Sequence, residues 1–206
     1  MSAGHYFDDD PDAPSAPTSV DVSLPDMHLT LTGDRGVFSA DKLDAGTKLL
    51  LLEAPALDGA QSVLDIGCGW GPITCVAAMR APAAEVWAID VNARARALTE
   101  ANAASVGAVD RVTVVEPEDV PAGTSFDRIL SNPPIRVGKA ALHELLLRWL
   151  PRLTPEGVAH LVVQKHLGSD SLARWLTDQG WPTERLASRA GYRILEVRRG
   201  TEGGAP

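Results

Sequence analysis

Residues 131–139 read SNPPIRVGK and follow directly on the apolar run FDRIL at 126–130. Two consecutive prolines end a strand, because neither carries the N–H that a sheet ladder needs. They leave the Asn132 side chain and the carbonyls beside it at the strand's C-terminal edge, facing outward. An ordinary loop satisfies this pattern, and so does a pincer of hydrogen-bond acceptors closing on a ligand's amino group.

A second stretch, VLDIGCGWG, sets Gly67, Gly69 and Gly71 between an apolar run and a helical one. Glycines there permit a tight turn and let a ligand approach the backbone closely. The spacing G-x-G-x-G differs from the G-x-G-x-x-G that seats a dinucleotide pyrophosphate. Asp65 also stands two positions before the first glycine, where a carboxylate repels phosphate and welcomes an ammonium. The pattern favours a cationic ligand bearing an amino-acid group over NAD. At the end of the next apolar run, WAID, Asp90 is placed to accept both hydroxyls of a ribose.

The elements that must hold these residues are legible in outline. VDVSL and MHLTLT alternate apolar and polar around Pro25-Asp26, which predicts a β-hairpin. A helix is expected from Asp44 onward. From Gln61 the chain alternates strands (SVLDIG, VWAID, RVTVVE, FDRILS, VAHLVVQK) with helices (GPITCVAAMRA, NARARALTEANAASVG, GKAALHELLLRWLPRL, SDSLARWLTDQG). That rhythm predicts a mostly parallel sheet covered on both faces. The last two strands, in WPTERLASR and YRILEVRR, lie too close for a helical crossover and should pair antiparallel. The expected organisation is a flexible acidic segment over 1–17, a hairpin and helix over 18–60 packing on the core, a main domain over 61–200, and a flexible tail over 201–206.

With 206 residues, 45% apolar and 22% charged, the composition is that of one ordinary globular domain. No apolar run reaches the length of a membrane span. The N-terminus lacks the basic and apolar regions of an export signal, so a cytoplasmic location is expected. Cys68 and Cys75 fit buried reduced thiols, and no Cys/His set suggests a metal. The net charge of −8 argues at first against a nucleic-acid partner, but residues 1–60 hold 11 Asp+Glu against 3 Lys+Arg. Residues 136–199 hold 11 Lys+Arg against 6 Asp+Glu, which permits a basic face near the C-terminal sheet edge.

D-I-G-C-G-W-G at 65–71, A-I-D at 88–90 and N-P-P-I at 132–135 together resemble the class I S-adenosylmethionine-dependent methyltransferases. GVFSADKLDAGTKLLL at 36–51 and NPPIRVGK at 132–139 are similar, more narrowly, to the small-domain family that contains the 16S ribosomal RNA guanine-N2 methyltransferases. The resemblance implies a Rossmann-like α/β fold: a mostly parallel seven-stranded sheet, helices on both faces, an antiparallel last strand and the N-terminal hairpin. It also implies S-adenosyl-L-methionine as cofactor. Gly67, Gly69 and Gly71 would pass beneath its methionine moiety, with Asp65 near the amino group. Asp90 would hold the ribose, Asp119 or its neighbour Glu118 the adenine amine, and Gly46 and Thr47 would lie at the amino-acid end.

The resemblance places NPPI at the methyl-accepting centre. An exocyclic amine is a poor nucleophile because its lone pair is delocalised into the ring. Acceptors for both its N–H groups, Asn132 Oδ1 and the Pro133 carbonyl, would aim the lone pair at the methyl, while Pro133 and Pro134 keep those acceptors rigid. Many N-methyltransferases carry an aromatic after NPP, and here Ile135 stands there, which weakens a DNA-adenine or glutamine substrate. Arg136 and Lys139 suit RNA phosphates. The expected activity is methylation of a guanine N2 amine in 16S rRNA, with ribosomal RNA or the small ribosomal subunit as partner. Methylation of a protein glutamine or a small molecule, and a non-catalytic role in binding the cofactor or RNA, are the alternatives.

Overall fold

A computed structural model describes residues 14–134 and 138–200. The expected flexible ends, 1–13 and 201–206, lie outside the described residues. Of the remainder of the 1–17 segment, the Ser15 hydroxyl and the Ala16 N–H both donate to Asp34.

The hairpin pairs β1 (Thr18–Ser23) with β2 (His28–Gly33) antiparallel. Its burial alternates residue by residue, so Val20, Val22, Leu29 and Leu31 face inward, as a period of two requires. Helix α1 (Ala45–Glu53) follows. Then β3 (Ser62–Ile66), α2 (Pro72–Arg80), β4 (Glu85–Ile89), α3 (Ala93–Ser105), β5 (Val112–Val115) and β6 (Phe126–Ser131) alternate. The chain continues through α4 (Lys139–Trp149), β7 (Leu153–Gln164), α5 (Ser169–Asp178), β8 (Thr183–Arg189) and β9 (Tyr192–Arg198).

The seven strands of the main sheet run in the order β5-β4-β3-β6-β7-β9-β8. All pairs are parallel from β5 to β7, and β9 is antiparallel to both its neighbours, as the short β8–β9 connection predicts. The fold is Rossmann-like. Two apolar layers cover the sheet: α1, α2 and α3 lie on one face with the hairpin packed against the helices, and α4 and α5 lie on the other. The central strands are therefore buried on both sides, which is why SVLDI and FDRIL read as nearly continuous apolar runs.

Two boundaries differ from the sequence reading by more than two residues. β7 begins at Leu153, five residues before the expected VAHLVVQK. Gly157 lets it do so, because a Cβ there would meet the Phe126 carbonyl oxygen at 2.8 Å. Helix α4 ends at Trp149 and tightens into a 3-10 turn through Pro151, where the helix can no longer be propagated.

Strand order places the site. The chain steps outward from β3 to β4 to β5 and then returns to β6 on the other side of β3. The crevice opens at that reversal, beyond the C-terminal ends of β3 and β6, where open α/β sheets bind ligands.

Candidate functional site

A cavity of about 330 Å³ lies over this reversal, a size that suits one cofactor-sized ligand. Its wall follows the strand tips in spatial order: Glu118 beyond β5, Asp90 beyond β4, Gly67 and Gly69 beyond β3, and Asn132 beyond β6, with Asp44 of the α1 cap beside it.

The glycine loop is shaped by the C-terminal end of the adjacent strand β4. The N–H groups of Gly67 and Cys68 both donate to the Ile89 carbonyl, at 2.9 and 3.1 Å. The Gly69 N–H donates to Asp90 Oδ2 at 2.9 Å, and the Asn92 N–H to Asp90 Oδ1 at 2.9 Å. Asp90 is thus held with both carboxylate oxygens oriented. Gly67 and Gly69 adopt φ of +72° and +58°, and a Cβ on either would meet nothing within 4 Å. That space is open to a ligand. Gly71 is different: a Cβ there would press on Thr99 at 3.0–3.1 Å, and Gly71 does not line the cavity.

The Asn132 side is built from distant residues. Asp44 caps α1, its Oδ2 accepting from the N–H groups of Gly46 at 2.7 Å and Thr47 at 3.0 Å. The same oxygen accepts from Asn132 Nδ2 at 2.9 Å, and Thr47 Oγ1 accepts from that amide at 3.0 Å. A carboxylate can only accept, so the amide nitrogen must face Asp44, and the Asn132 carbonyl oxygen is turned the other way. Ser131 Oγ donates to the Ile66 carbonyl at 2.7 Å and ties the tip of β6 to that of β3.

A roof loop runs between β2 and α1. The Trp70 indole donates to the Ser39 carbonyl at 3.2 Å, and Asn92 Nδ2 to the Gly36 carbonyl at 2.8 Å. Ser39 sits at φ +53°, a conformation that L side chains rarely adopt. Beside it Phe38 lines the cavity while half exposed.

Among the residues singled out from sequence, Gly67, Gly69, Asp90, Thr47, Asn132, Pro133 and Pro134 come together on the wall. Gly46 is buried behind it, where a Cβ would meet the Tyr192 ring at 2.7 Å. Asp119 is exposed and lies outside the wall, whereas its neighbour Glu118 lines the cavity. Both belong to a 3-10 turn, Pro117–Asp119, in which successive side chains point about 120° apart. Lys139 is the exposed first residue of α4 and lies outside the wall. Ile135 and Arg136 lie outside the described residues.

Asp65 departs furthest from expectation. It is fully buried beneath the loop, outside the cavity wall, with Thr74 Oγ1 donating to its Oδ2 at 2.6 Å. Its Oδ1 has no partner among the described residues. Burial first, then the nearby Asp90 charge, push its pKa up to about 7 against the Thr74 hydrogen bonds. The same burial pushes the Cys75 thiol up to about 12, and Cys68 well above its ordinary value. Both cysteines are free and buried.

Two wall residues were not anticipated. Asp44 looked only like a helix start, and D-A-G-T is indeed a capping signature; its bond to a side chain 88 residues away has no local signal. Arg148 of α4 donates to Glu118 Oε1 at 2.9 Å and to the Pro117 carbonyl at 2.7 Å, holding that turn against the cavity. The guanidinium keeps the Glu118 carboxyl below the usual range. Among the described residues no group of three or more His, Cys, Asp or Glu could hold a metal ion, and no helix is long and apolar enough to cross a membrane.

Comparison with known proteins accords with this geometry. Residues 28–196 match the methyltransferase small domain family. YbxB, an uncharacterized protein of Bacillus subtilis, is 31% identical over 200 residues, covering 95% of this chain and 98% of its own. The ribosomal RNA small subunit methyltransferase C of Shewanella oneidensis is 37% identical over 159 residues, covering 74% of this chain; this chain spans only 45% of that longer protein. Among solved structures, the T. thermophilus 16S rRNA N2 methyltransferase RsmC, in complex with AdoMet and guanosine, shares the fold. Its TM-score is 0.69 at 24% identity, over 90% of this chain and 51% of that one. The open space over Gly67 and Gly69, the oriented Asp90 carboxylate and the cavity of about 330 Å³ suit the cofactor of this family, S-adenosylmethionine. The chain therefore belongs to the methyltransferase small domain family and is an S-adenosylmethionine-dependent methyltransferase.

Proposed function

We propose that the protein methylates an exocyclic amine, the N2 of a guanine in 16S rRNA, in the cytoplasm. The observation that carries this reading is the locked Asn132 amide. With its nitrogen held by Asp44 and Thr47, its oxygen is presented as an acceptor next to the Pro133 and Pro134 backbone. Such an acceptor suits a neutral amine, whose N–H groups it receives and whose lone pair it thereby aims. The bound cofactor supplies an electrophilic methyl on sulfur. Because neutralising a sulfonium favours transfer, the site needs no strong base. The ordered pocket also lowers the entropy of alignment, which can be worth several kcal/mol.

The nucleic-acid part of the proposal draws support from relatives named as ribosomal RNA small subunit methyltransferases. Arg136 and Lys139, on the segment after the prolines, are the proposed phosphate contacts. The test supplies tritiated S-adenosylmethionine to ribosomal subunits, total RNA and protein extract from a strain lacking the protein. Label in small-subunit rRNA, recovered as N2-methylguanine after digestion, is the expected result. Label confined to protein or to small molecules would replace the rRNA substrate. No label anywhere would overturn the catalytic role.

A further inference from the structure

The sequence pattern assigns a cofactor ammonium to Asp65, and the structure sets Asp65 out of reach. It is fully buried, bonded to Thr74, and absent from the cavity wall. Asp44 is on the wall, and its two oxygens are used unequally. Oδ2 accepts three donors, from Gly46, Thr47 and Asn132. Oδ1 accepts none from the described residues, and it is not among the buried orphan atoms, so it remains accessible. An accessible carboxylate oxygen on a ligand cavity, with its partner oxygen saturated, is an acceptor waiting for a charged donor.

We infer that Asp44 Oδ1 receives the amino group of the cofactor's methionine arm, while Oδ2 holds Asn132 in its accepting orientation. The order of groups along the wall supports this. Neighbouring strand tips are about 4.8 Å apart, and Glu118, Asp90, the glycine loop and Asn132 occupy successive tips. S-adenosylmethionine presents an amine, a diol and a sulfonium in the same order. With the sulfur facing Asn132, standard bond lengths put the ammonium about 4–5 Å beyond it. Asp44 lies within that reach, because its Oδ2 is 2.9 Å from the Asn132 amide. One carboxylate thus joins cofactor occupancy to the aim of the acceptor. The inference depends on Asn132 facing the transferring methyl, as proposed above.

The test is a binding measurement with no methyl acceptor present, so it fails or succeeds independently of the rRNA substrate. The full chain is titrated calorimetrically with S-adenosylhomocysteine and with its deaminated analogue, 5′-adenosylthiobutanoate. The native protein should bind the first at least tenfold more tightly. Asp44→Asn keeps a capping oxygen and should bring the ratio near one by weakening only S-adenosylhomocysteine. Asp44→Ser, which also caps well, should do the same and serves if the first variant folds poorly. Asp65→Asn should retain the native ratio. A general loss of structure would weaken both ligands together and leave the ratio intact. The inference is overturned if the native protein does not distinguish the two ligands. It is equally overturned if both Asp44 variants keep the native ratio, or if Asp65→Asn alone abolishes it.

Discussion

On the glycine-loop side of the cavity, the bonds that shape the wall reach only to the next strand and helix: Gly67 and Cys68 to Ile89, Gly69 to Asp90, and Thr99 Oγ1 to the Gly69 carbonyl. On the Asn132 side the partners are Asp44 and Thr47, 88 and 85 residues away. The first wall is built within one consecutive run of the chain, β3 to α3, with β4 and α3 holding the loop after β3. The second exists only when the α1 cap docks beside the tip of β6. On the reading proposed above, the difference separates two tasks: the local wall takes the nucleoside end of the cofactor, and the assembled wall aims the acceptor and receives the cofactor's amino group.

The sharpest way to break this division is a pair of substitutions. Asn132→Ala should lower methyl transfer by about 10²–10³-fold, the scale expected for losing one preorganised polar contact to a reacting group. Its S-adenosylhomocysteine affinity should stay native in calorimetry. Asp90→Ala should do the reverse, weakening the ligand roughly tenfold or more, since charge-assisted bonds are worth about 1.5–3 kcal/mol each. Equal loss of binding in both variants would merge the two walls into one.

A smaller effect tests the local wall alone. Gly71 combines φ +89° with Thr99 at 3.0 Å from a would-be Cβ. Gly71→Ala should therefore lower unfolding stability by about 1–3 kcal/mol, seen as a lower denaturant midpoint. Gly67→Ala faces open space and carries only the backbone strain. It should lose less stability and more cofactor affinity, because its methyl projects into the cradle.

A last effect concerns pH. Asp65 has its pKa pushed from 3.8 up to about 7 by burial, so the folded state holds a proton that the unfolded chain releases. Its favourable contribution is complete below about pH 4 and is lost as pH rises through 7. Asp65→Asn removes that slope. Relative to the native protein, the variant should gain stability between about pH 4 and 7 and level off above that in urea titrations. A pH-independent difference would place the native carboxylate in a better-solvated setting than its burial implies.

Much of the fold was legible because its determinants are local. Apolar runs bounded by glycines and prolines marked the strands, and their alternation with helices marked a parallel sheet. The short gap before YRILEVRR marked the antiparallel β9. Boundaries slipped where a tertiary contact intervened, as at Gly157, which allows β7 to start early against Phe126.

Residue types and spacing determined by themselves the strand–glycine–helix unit, the Asp90 position after β4 and the proline stop after Asn132, since each follows from backbone preferences over a few residues. Tertiary structure alone decided which carboxylates see the cavity. One residue of rotation in a 3-10 turn selects Glu118 over Asp119. Packing of α2 over the tip of β3 buries Asp65. Docking of a helix cap from the N-terminal segment brings Asp44 to the wall. Side-chain direction and burial depend on what packs alongside, and that partner can lie anywhere in the chain.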